Sequence, residues 1–290
     1  MRVLVTGAQG KVGSFAAKAF DAAGHKVVGV DIASPAYGPQ PAGTLPYLRA
    51  DLTDFGAAIG AVHAARPDVI VHAAGIPGPG HDPAAAVFAN NTLATYNIAE
   101  AVLHTGVARV VYISSETAPG FVTAERPFIP DYLPVDEAHP RRPQDPYALS
   151  KSLGEDICDA LVARSDATAV SIRPSYVWAP RDYAHVLSPL QEHPDRHFNY
   201  WSYVDVEDLA DLIVLAATAS TAGHEVVYAA QPDNYVGRPF ATLVAEVLGD
   251  AAPPLRELDQ EDCAGIRTAK ARTLLGWAPQ RSWRQRLAAD

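Results

Sequence analysis

The feature that most constrains the fold is a glycine-spaced loop between a short apolar run and an amphipathic segment near the start of the chain. Residues 2–5 predict a strand, and Gly7, Gly10 and Gly13 follow it at intervals of three residues. Glycine here permits a tight turn, a close approach of the backbone to a pyrophosphate and close packing of the following helix. Because the N–H groups at the start of that helix also favour an anion, the loop predicts a dinucleotide site. Its expected contacts are Gly7, Gln9, Gly10, Lys11, Val12 and Gly13.

The second predicted strand, over residues 26–30, ends at an acid that bears on the choice of dinucleotide. A carboxylate at Asp31 would accept a hydrogen bond from a ribose 2′-hydroxyl and repel a 2′-phosphate, so it predicts NAD rather than NADP. Lys11 argues for NADP instead, since a lysine near the phosphates could help to bind the phosphorylated cofactor. Asp51, after the next predicted strand, has two interpretations: it accepts from the adenine amine, or it caps the helix that begins near Thr53.

Strands and helices alternate through the first part of the chain. Further strands are predicted over residues 48–52, 68–75, 107–113 and 169–174. Helices are predicted over residues 55–65, 83–105 and 146–164. This alternation predicts an α/β fold with a doubly wound parallel sheet, whose ligands bind at the carboxyl ends of the strands. The small residues Ala73, Ala74 and Gly75 at one such end would let a cofactor approach.

The same pattern predicts two parts of unequal size. Residues 1–180 would form a Rossmann domain that binds NAD, and residues 181–290 a small C-terminal part that binds the substrate. Within the second part, elements at about residues 203–230 are expected to return to the Rossmann domain. The residues between Pro180 and Tyr203 predict a short irregular segment.

Two stretches rich in proline predict loops. Residues 32–45 combine Pro, Gly and Ala, and residues 119–146 contain seven prolines without a period. The second stretch is too stiff for a random linker and too rich in proline for a helix. We expect it to fold over the active site.

Composition argues against several classes of partner. A net charge of −10 without a basic stripe argues against nucleic acid. No apolar run approaches the roughly 20 residues of a membrane helix, and a strand that starts at residue 2 leaves no room for a signal peptide. Two cysteines, Cys158 and Cys263, cannot build a disulfide framework, which favours a reducing compartment, the cytoplasm. His193 and His197 have helical spacing, but Pro194 between them argues against a helix, so no metal site is expected.

A tyrosine and a lysine, Tyr147 and Lys151, lie one turn apart on the helix predicted over residues 146–164. A phenol has a pKa near 10, so acting as a base near neutrality needs a shift of about three units, roughly 4 kcal/mol. A lysine ammonium one turn away and an oxidised nicotinamide would both favour the phenolate. Ser115, at the end of a neighbouring strand, could hold a substrate oxygen against Tyr147. The alternatives are a surface pair and a serine in a strand-end turn.

Together these motifs resemble the extended short-chain dehydrogenase/reductases, in the branch of NAD-dependent epimerases, dehydratases and sugar dehydrogenases. The resemblance covers residues 2 to about 280. Its motifs are Thr6-Gly7-Ala8-x-Gly10-x-x-Gly13, Asp31, Asp51-Leu52, His72-Ala73-Ala74, Asn91, Ser114-Ser115, Tyr147-x-x-x-Lys151, Arg173-Pro174, Tyr203-Val204-Asp205-Val206 and Leu274-Leu275-Gly276-Trp277.

The resemblance implies a role for each matching residue. Tyr147 would be the acid/base, Lys151 would also hold the nicotinamide ribose hydroxyls, and Ser115 would bind the reacting oxygen. Asn91 would support the cofactor site, and the backbone just after Pro174 would face the nicotinamide. The other expected cofactor contacts are Asp51, Leu52, Ala73, Ala74 and Gly75. Many relatives pair through the helix that bears the tyrosine and its neighbour, so a homodimer is expected.

Two departures from the family narrow the substrate. Dehydratases carry an acidic pair after the position of Ser115, whereas Glu116-Thr117 supplies only half of it, which argues against dehydration. Residues 181–202 are short for a clamp on a nucleotide, and this layout resembles the uronate dehydrogenases, which hold a sugar carboxylate with an arginine. Arg181 is the nearest candidate, and a surface ion pair is its alternative. The candidate substrate contacts are Ser115, Glu116, Thr117, Ser175 and Arg181.

We therefore expect an NAD-dependent oxidoreductase that moves a hydride between NAD and a secondary alcohol, lactol or ketone of a small polar, sugar-like substrate. The alternative is a sugar or nucleotide-sugar epimerase that retains its NAD. A regulator that binds NAD without chemistry is a third interpretation, which the presence of Ser115, Tyr147 and Lys151 disfavours.

Overall fold

A seven-stranded parallel sheet forms the centre of the computed structural model, which describes residues 1–34, 45–196 and 199–288. Most of the loop predicted over residues 32–45, and His197, lie outside these ranges. In chain order the described strands are β1 (Arg2–Thr6), β2 (Lys26–Asp31), β3 (Tyr47–Arg49), β4 (Val69–His72), β5 (Arg109–Ile113), β6 (Thr168–Pro174), β7 (Val177–Trp178), β8 (Val204–Asp205) and β9 (His224–Ala229). The sheet order is β3-β2-β1-β4-β5-β6-β9, and β7 pairs with β8 in a separate ladder. The predicted doubly wound parallel sheet is confirmed.

Helices cover both faces of this sheet. They are α1 (Lys11–Ala22), α2 (Phe55–Ala65), α3 (Ala84–Thr105), α4 (Pro146–Ala163), α5 (Tyr183–Glu192), α6 (Val206–Thr218), α7 (Phe240–Leu248), α8 (Ala269–Leu275) and α9 (Trp283–Ala288). Successive residues of a strand point to opposite faces, so Val3 and Val5 of β1 pack with α1 and α6, whereas Leu4 packs with α2 and α3. None of the helices in the described ranges has the length and apolar character that crossing a membrane requires.

The segment between Pro180 and Tyr203 differs from its prediction as an irregular stretch, because it contains α5. This helix runs through Pro189, which removes one backbone hydrogen bond. Tyr183 and Leu187, one turn apart, are buried in an aromatic cluster formed largely by the C-terminal part of the chain. Tertiary packing of that face therefore outweighs the local cost of the proline.

The proline-rich stretch over residues 119–146 has no helix or strand between Ile113 and Pro146 in the described chain. It is nevertheless packed, since Phe121, Leu133 and Val135 are buried in the same aromatic cluster. β9 pairs with β6, so this part of the C-terminal segment lies in the central sheet. The division into an NAD-binding domain and a substrate-binding part stays a prediction.

Candidate functional site

A cavity of about 910 Å³ runs along the carboxyl edge of the sheet, from the glycine loop to the start of α4. It brings together all but two of the residues predicted to form the site; the exceptions are Asn91 and Arg181. The cofactor candidates that line it are Gly7, Gln9, Gly10, Lys11, Val12, Gly13, Asp31, Asp51, Leu52, Ala73, Ala74, Gly75, Tyr147, Lys151 and Pro174. The substrate candidates that line it are Ser115, Glu116, Thr117 and Ser175.

The glycine loop forms a cradle that side chains would fill. Gly7 has φ +66°, and a Cβ on it would lie 2.7 Å from the backbone nitrogen of Ala74. A Cβ on Gly13 would lie 2.1 Å from the carbonyl oxygen of Gly7. The N-cap of α1 is Gly10, and no side chain caps the N–H groups there. The cradle and these open N–H groups fit a pyrophosphate, so the cavity suits a dinucleotide.

Asp31 is held by the backbone at the other end of this cofactor region. Its Oδ2 accepts from the Gln9 N–H at 3.0 Å, and its Oδ1 accepts from the Ala33 N–H at 3.2 Å. Lys11 is engaged elsewhere: its Nζ donates to Asp182 Oδ2 at 2.7 Å and to the Val177 carbonyl oxygen at 3.1 Å. Asp31 thus lies on the cavity wall, whereas Lys11 is paired with Asp182, just before α5.

Asp51 does not cap α2, so the capping interpretation of this residue is wrong. The N-cap is Asp54, whose side chain accepts from the Ala57 N–H at 2.7 Å. Asp51 Oδ1 instead accepts from the N–H and the hydroxyl of Thr53, at 2.9 and 2.7 Å, and forms a turn. The aspartate remains on the cavity wall beside the buried Leu52.

Asn91 supports the cavity from behind the turn at Gly75. Its Oδ1 accepts from the Ile76 N–H at 2.7 Å, and its Nδ2 donates to the Ile76 carbonyl oxygen at 3.1 Å. The same Nδ2 donates to Ser150 Oγ at 3.3 Å. Asn91 therefore ties the turn after β4 to the helix that carries Tyr147, whereas its neighbour Asn90 lines the cavity.

Ser115, Tyr147 and Lys151 converge at one end of the cavity. Tyr147 lies in the first turn of α4, where the N-cap Asp145 accepts from its N–H at 3.0 Å. Lys151 follows one turn later; its Nζ donates to the Ile113 carbonyl oxygen at 2.8 Å and lies 5.7 Å from the centre of the Tyr147 ring. All three side chains are buried.

The pKa of Tyr147 departs from the sequence-based expectation. Burial raises this pKa to about 12; a hydrogen bond with Ser115 lowers it, and the nearby Glu116 and Asp145 raise it. Burial also lowers the pKa of Lys151 to about 8, against the opposing effect of Glu155. The protein's own groups therefore keep Tyr147 as a neutral phenol near pH 7. A phenolate needs a further positive charge in the cavity.

A buried ion pair lies beneath these three residues. Arg173 donates to both carboxylate oxygens of Glu155, from Nε at 2.8 Å and from Nη2 at 2.7 Å. Ser114 Oγ donates to Glu155 Oε1 at 2.6 Å. The pair thus fixes the ends of β5 and β6, next to Ser115 and Pro174, against α4.

Arg181 is not brought to the cavity. Its side chain is 85% exposed, and its Nε lies 3.9 Å from Asp182 Oδ1, which is the surface ion pair that was its alternative. Its neighbour Asp182 accepts the hydrogen bond from Lys11.

Two relevant side chains were missed from the sequence. Asn199 donates to both carboxyl oxygens of Glu116, at 3.2 and 3.3 Å. Asp182 pairs with Lys11 of the glycine loop. Both lie in the short segment between Pro180 and Tyr203, where neither a motif nor a period marks them.

In the described ranges, no group of three or more His, Cys, Asp or Glu could hold a metal ion.

Known proteins share both the sequence pattern and the fold. A UDP-glucose 4-epimerase of Mycolicibacterium smegmatis is 28% identical over 310 aligned residues, covering 97% of this chain and 94% of that protein. A uronate dehydrogenase of Pseudomonas syringae pv. tomato is 28% identical over 237 residues, covering 81% of this chain and 76% of that protein. A solved structure of a mutated uronate dehydrogenase has a TM-score of 0.68 at 26% identity, with 100% of this chain and 86% of that chain covered.

The family model for the NAD-dependent epimerase/dehydratase family matches residues 3–229. This match covers most of the chain, including the glycine cradle, Ser115, Tyr147 and Lys151. It confirms the resemblance inferred from the motifs, and with it an enzyme that uses NAD. The chain therefore belongs to the NAD-dependent epimerase/dehydratase family, a branch of the extended short-chain dehydrogenase/reductases.

Proposed function

We propose that this protein is an NAD-dependent dehydrogenase or reductase that acts on a secondary alcohol, lactol or ketone of a small polar, sugar-like substrate. The observation that carries the proposal is the convergence of Ser115, Tyr147 and Lys151 in the same cavity as the glycine cradle. NAD, when bound, accepts or supplies the hydride. Side chains of this protein position the substrate and the cofactor and exchange the proton.

Each of the three residues has one task in this proposal. Tyr147 exchanges a proton with the substrate oxygen, because its phenol lines the cavity and is hydrogen-bonded to Ser115. Ser115 holds that oxygen against the phenol, with which it already shares a hydrogen bond. Lys151 is fixed by the Ile113 carbonyl oxygen and would hold the nicotinamide ribose hydroxyls, while its charge favours the phenolate.

The remaining cofactor contacts follow from the cavity wall. The cradle at Gly7, Gly10 and Gly13 would hold the pyrophosphate, and Asp31 the adenosine ribose. Asp51 would accept from the adenine amine. The backbone after Pro174 would face the nicotinamide.

A small substrate is supported by the short connection between β7 and β8, and by the similarity to a uronate dehydrogenase. An epimerase that retains its NAD is the second candidate, supported by the similarity to a UDP-glucose 4-epimerase. The ion pair between Lys11 and Asp182 also favours retention of NAD, because it joins the glycine loop to the segment just before α5.

The test is a screen of NAD with free sugars, uronates and small polyols, followed by absorbance at 340 nm. We expect net NADH formation with at least one of these compounds. In Tyr147→Phe, kcat should fall by about 10²–10⁴-fold with NAD affinity nearly unchanged, because only the proton-transfer group is removed. A kcat that is unchanged in Tyr147→Phe would contradict the mechanism. Interconversion of UDP-sugars without net NADH, by enzyme purified with NAD bound, would favour the epimerase.

We also propose a homodimer that forms through α3 and α4. These helices pack side by side and present an apolar groove of about 540 Å³, in which Leu93 and Tyr96 are 44% and 45% exposed.

A cytoplasmic location is proposed because Cys158 and Cys263 are both buried free thiols, which agrees with a reducing compartment.

A further inference from the structure

The substrate end of the cavity carries three polar side chains that the proposed hydride transfer does not use. Glu116, Thr117 and Ser175 line the cavity and are 5%, 7% and 3% exposed. The hydroxyl oxygens of Thr117 and Ser175 have no hydrogen-bond partner within the described residues. Such buried polar groups are normally paired, so they point to a ligand that supplies the partners. We call these three side chains the polar patch.

The carboxyl group of Glu116 is held from one side by a single amide. Asn199 is fully buried, and its Nδ2 donates to the two oxygens of Glu116 at 3.2 and 3.3 Å. The same Nδ2 donates to the Ser202 carbonyl oxygen at 2.7 Å, which fixes the orientation of the amide. An ionised carboxylate can accept about four hydrogen bonds. One shared amide leaves most of that capacity unused.

No described cation compensates a charge on Glu116. The titratable groups that face it are the phenols of Tyr147 and Tyr235, both of which burial keeps neutral near pH 7. Burial raises the pKa of Glu116 well above its ordinary value, and the hydrogen bond from Asn199 opposes this only in part. Burial thus favours the neutral acid, which can donate one hydrogen bond and accept another.

We propose that the polar patch binds hydroxyl groups of an uncharged sugar or polyol, and that Glu116 determines specificity by donating a hydrogen bond to one of them. The inference rests on the proposed function and names its substrate class. A substrate carboxylate placed on the polar patch would have no arginine to pair with, because Arg181 lies at the surface and no arginine is among the described residues of the cavity wall. The two lysines of that wall are already engaged, Lys11 with Asp182 and Lys151 with the Ile113 carbonyl oxygen. Burying an unpaired anion is costly.

The first test measures sugar binding to the NAD-loaded enzyme by calorimetry. The probes are D-glucose, D-galactose and the two corresponding uronates. We expect the uncharged sugars to bind at least tenfold more tightly than the uronates. Glu116→Ala should weaken that binding by tenfold or more, whereas Glu116→Gln should stay within about threefold, because its amide also donates and accepts. Glu125→Gln, which removes an exposed acid from the neighbouring loop, is the matched control.

Tighter binding of the uronates, or unchanged sugar binding in Glu116→Ala, would overturn the inference. The proposed function can fail separately: sugars that bind through the polar patch without any hydride transfer would refute the dehydrogenase while leaving the specificity role standing. NAD affinity should be equal in all of these variants, so a loss of NAD binding identifies a folding defect.

The second test reports the protonation state of Glu116 without any substrate. A carboxyl whose pKa is raised on folding contributes stability below its unfolded pKa and loses it as the pH rises through the folded pKa. The Tm of Glu116→Gln minus that of the natural protein should therefore increase between pH 5 and pH 8. Glu125→Gln should show no such trend. A constant difference for Glu116→Gln would mean that the carboxyl is ionised throughout, which contradicts the proposal.

Discussion

His72, at the end of β4, forms hydrogen bonds whose pattern depends on which ring nitrogens carry a proton. Thr95 donates to the Asn91 carbonyl oxygen, so its Oγ1 is free to accept from the Nε2 of His72, 3.2 Å away. Thr6 accepts from the Ala74 N–H and can donate to the Nδ1 of His72 at 2.8 Å. A neutral ring satisfies every one of these groups, and a second ring proton would not. The network thus joins the ends of β1 and β4 beside the glycine cradle.

This network predicts a loss of stability in mild acid. Burial, and secondarily the charge of Lys151, lowers the pKa of His72 to about 3. The unfolded chain takes up a proton below pH 6.5, whereas the folded chain does not until about pH 3. The contribution to stability is therefore complete above pH 6.5 and is lost towards pH 3, by at most about 1.4 kcal/mol per pH unit.

The measurement is the free energy of unfolding between pH 6.5 and pH 5, where most carboxylates stay ionised. His72→Gln should flatten the slope. His63→Gln, which removes an exposed histidine, should leave it unchanged. Equal slopes in the natural protein and His72→Gln would contradict the prediction.

Asp31 is the residue that we propose determines the choice between NAD and NADP. Replacing it by Asn keeps the shape but removes the charge that would accept from the ribose hydroxyl and repel a phosphate. A hydrogen bond to a charged group contributes about 1.5–3 kcal/mol, so kcat/KM for NAD should fall by roughly tenfold or more, and the gap to NADP should narrow. Comparable efficiency with NADP in the natural protein would remove this role from Asp31.

At the scale of secondary structure, the pair of Glu155 and Arg173 holds three elements together. The two side chains are only 3% and 4% exposed, and Ser114 and Arg141 also contact the carboxylate. Glu155 belongs to α4, Arg173 to β6, and Ser114 directly follows β5, so the pair helps to set how these three elements meet.

Removing one partner should be costly, since it leaves a buried charge without compensation. Glu155→Gln is expected to lower the free energy of unfolding by about 3–5 kcal/mol. The exposed pair of Arg238 and Glu246 is the control, and Glu246→Gln should cost at most about 1 kcal/mol. Denaturant unfolding measures both. A similar loss in the two variants would show that burial of the first pair has no special weight.

The elements that the sequence predicted well are those specified by local pattern. The Gly-spaced loop, and the tyrosine and lysine one turn apart on α4, needed only short-range information. α5 was missed because a proline lies within it and its stability comes from tertiary packing. Asn199 and Asp182 were missed because their partners, Glu116 and Lys11, are 83 and 171 residues away in the chain. The residues of the polar patch could therefore be named from the sequence, but the partner of Glu116 could not.

At the scale of the whole molecule, the two faces of the sheet differ in what covers them. The face formed by α1 and α6 is closed by C-terminal residues such as Leu275 and Trp277. On the opposite face, α3 and α4 leave an apolar groove between them, with Leu93 and Tyr96 exposed. A second copy of the chain would cover this groove in the proposed dimer.

The dimer prediction uses two leucines of equal exposure. Leu93 on α3 and Leu287 on α9 are both 44% exposed. Leu93→Asp should convert the dimer to a monomer, because it places charges in the apolar groove, whereas Leu287→Asp should leave the mass unchanged. Size-exclusion chromatography with light scattering gives the mass of each. A natural protein that is monomeric at micromolar concentration would contradict the proposal.

The bond between Lys11 and Asp182 bears on how firmly NAD would be held in the cavity. The pair is 2.7 Å long and partly solvent-exposed, so it opens more readily as salt screens it. Because Lys11 lines the cofactor cavity, we expect NAD to dissociate faster as salt weakens this bond. One contact between the first turn of α1 and the residue just before α5 would then make the exchange of NAD with the solution depend on salt.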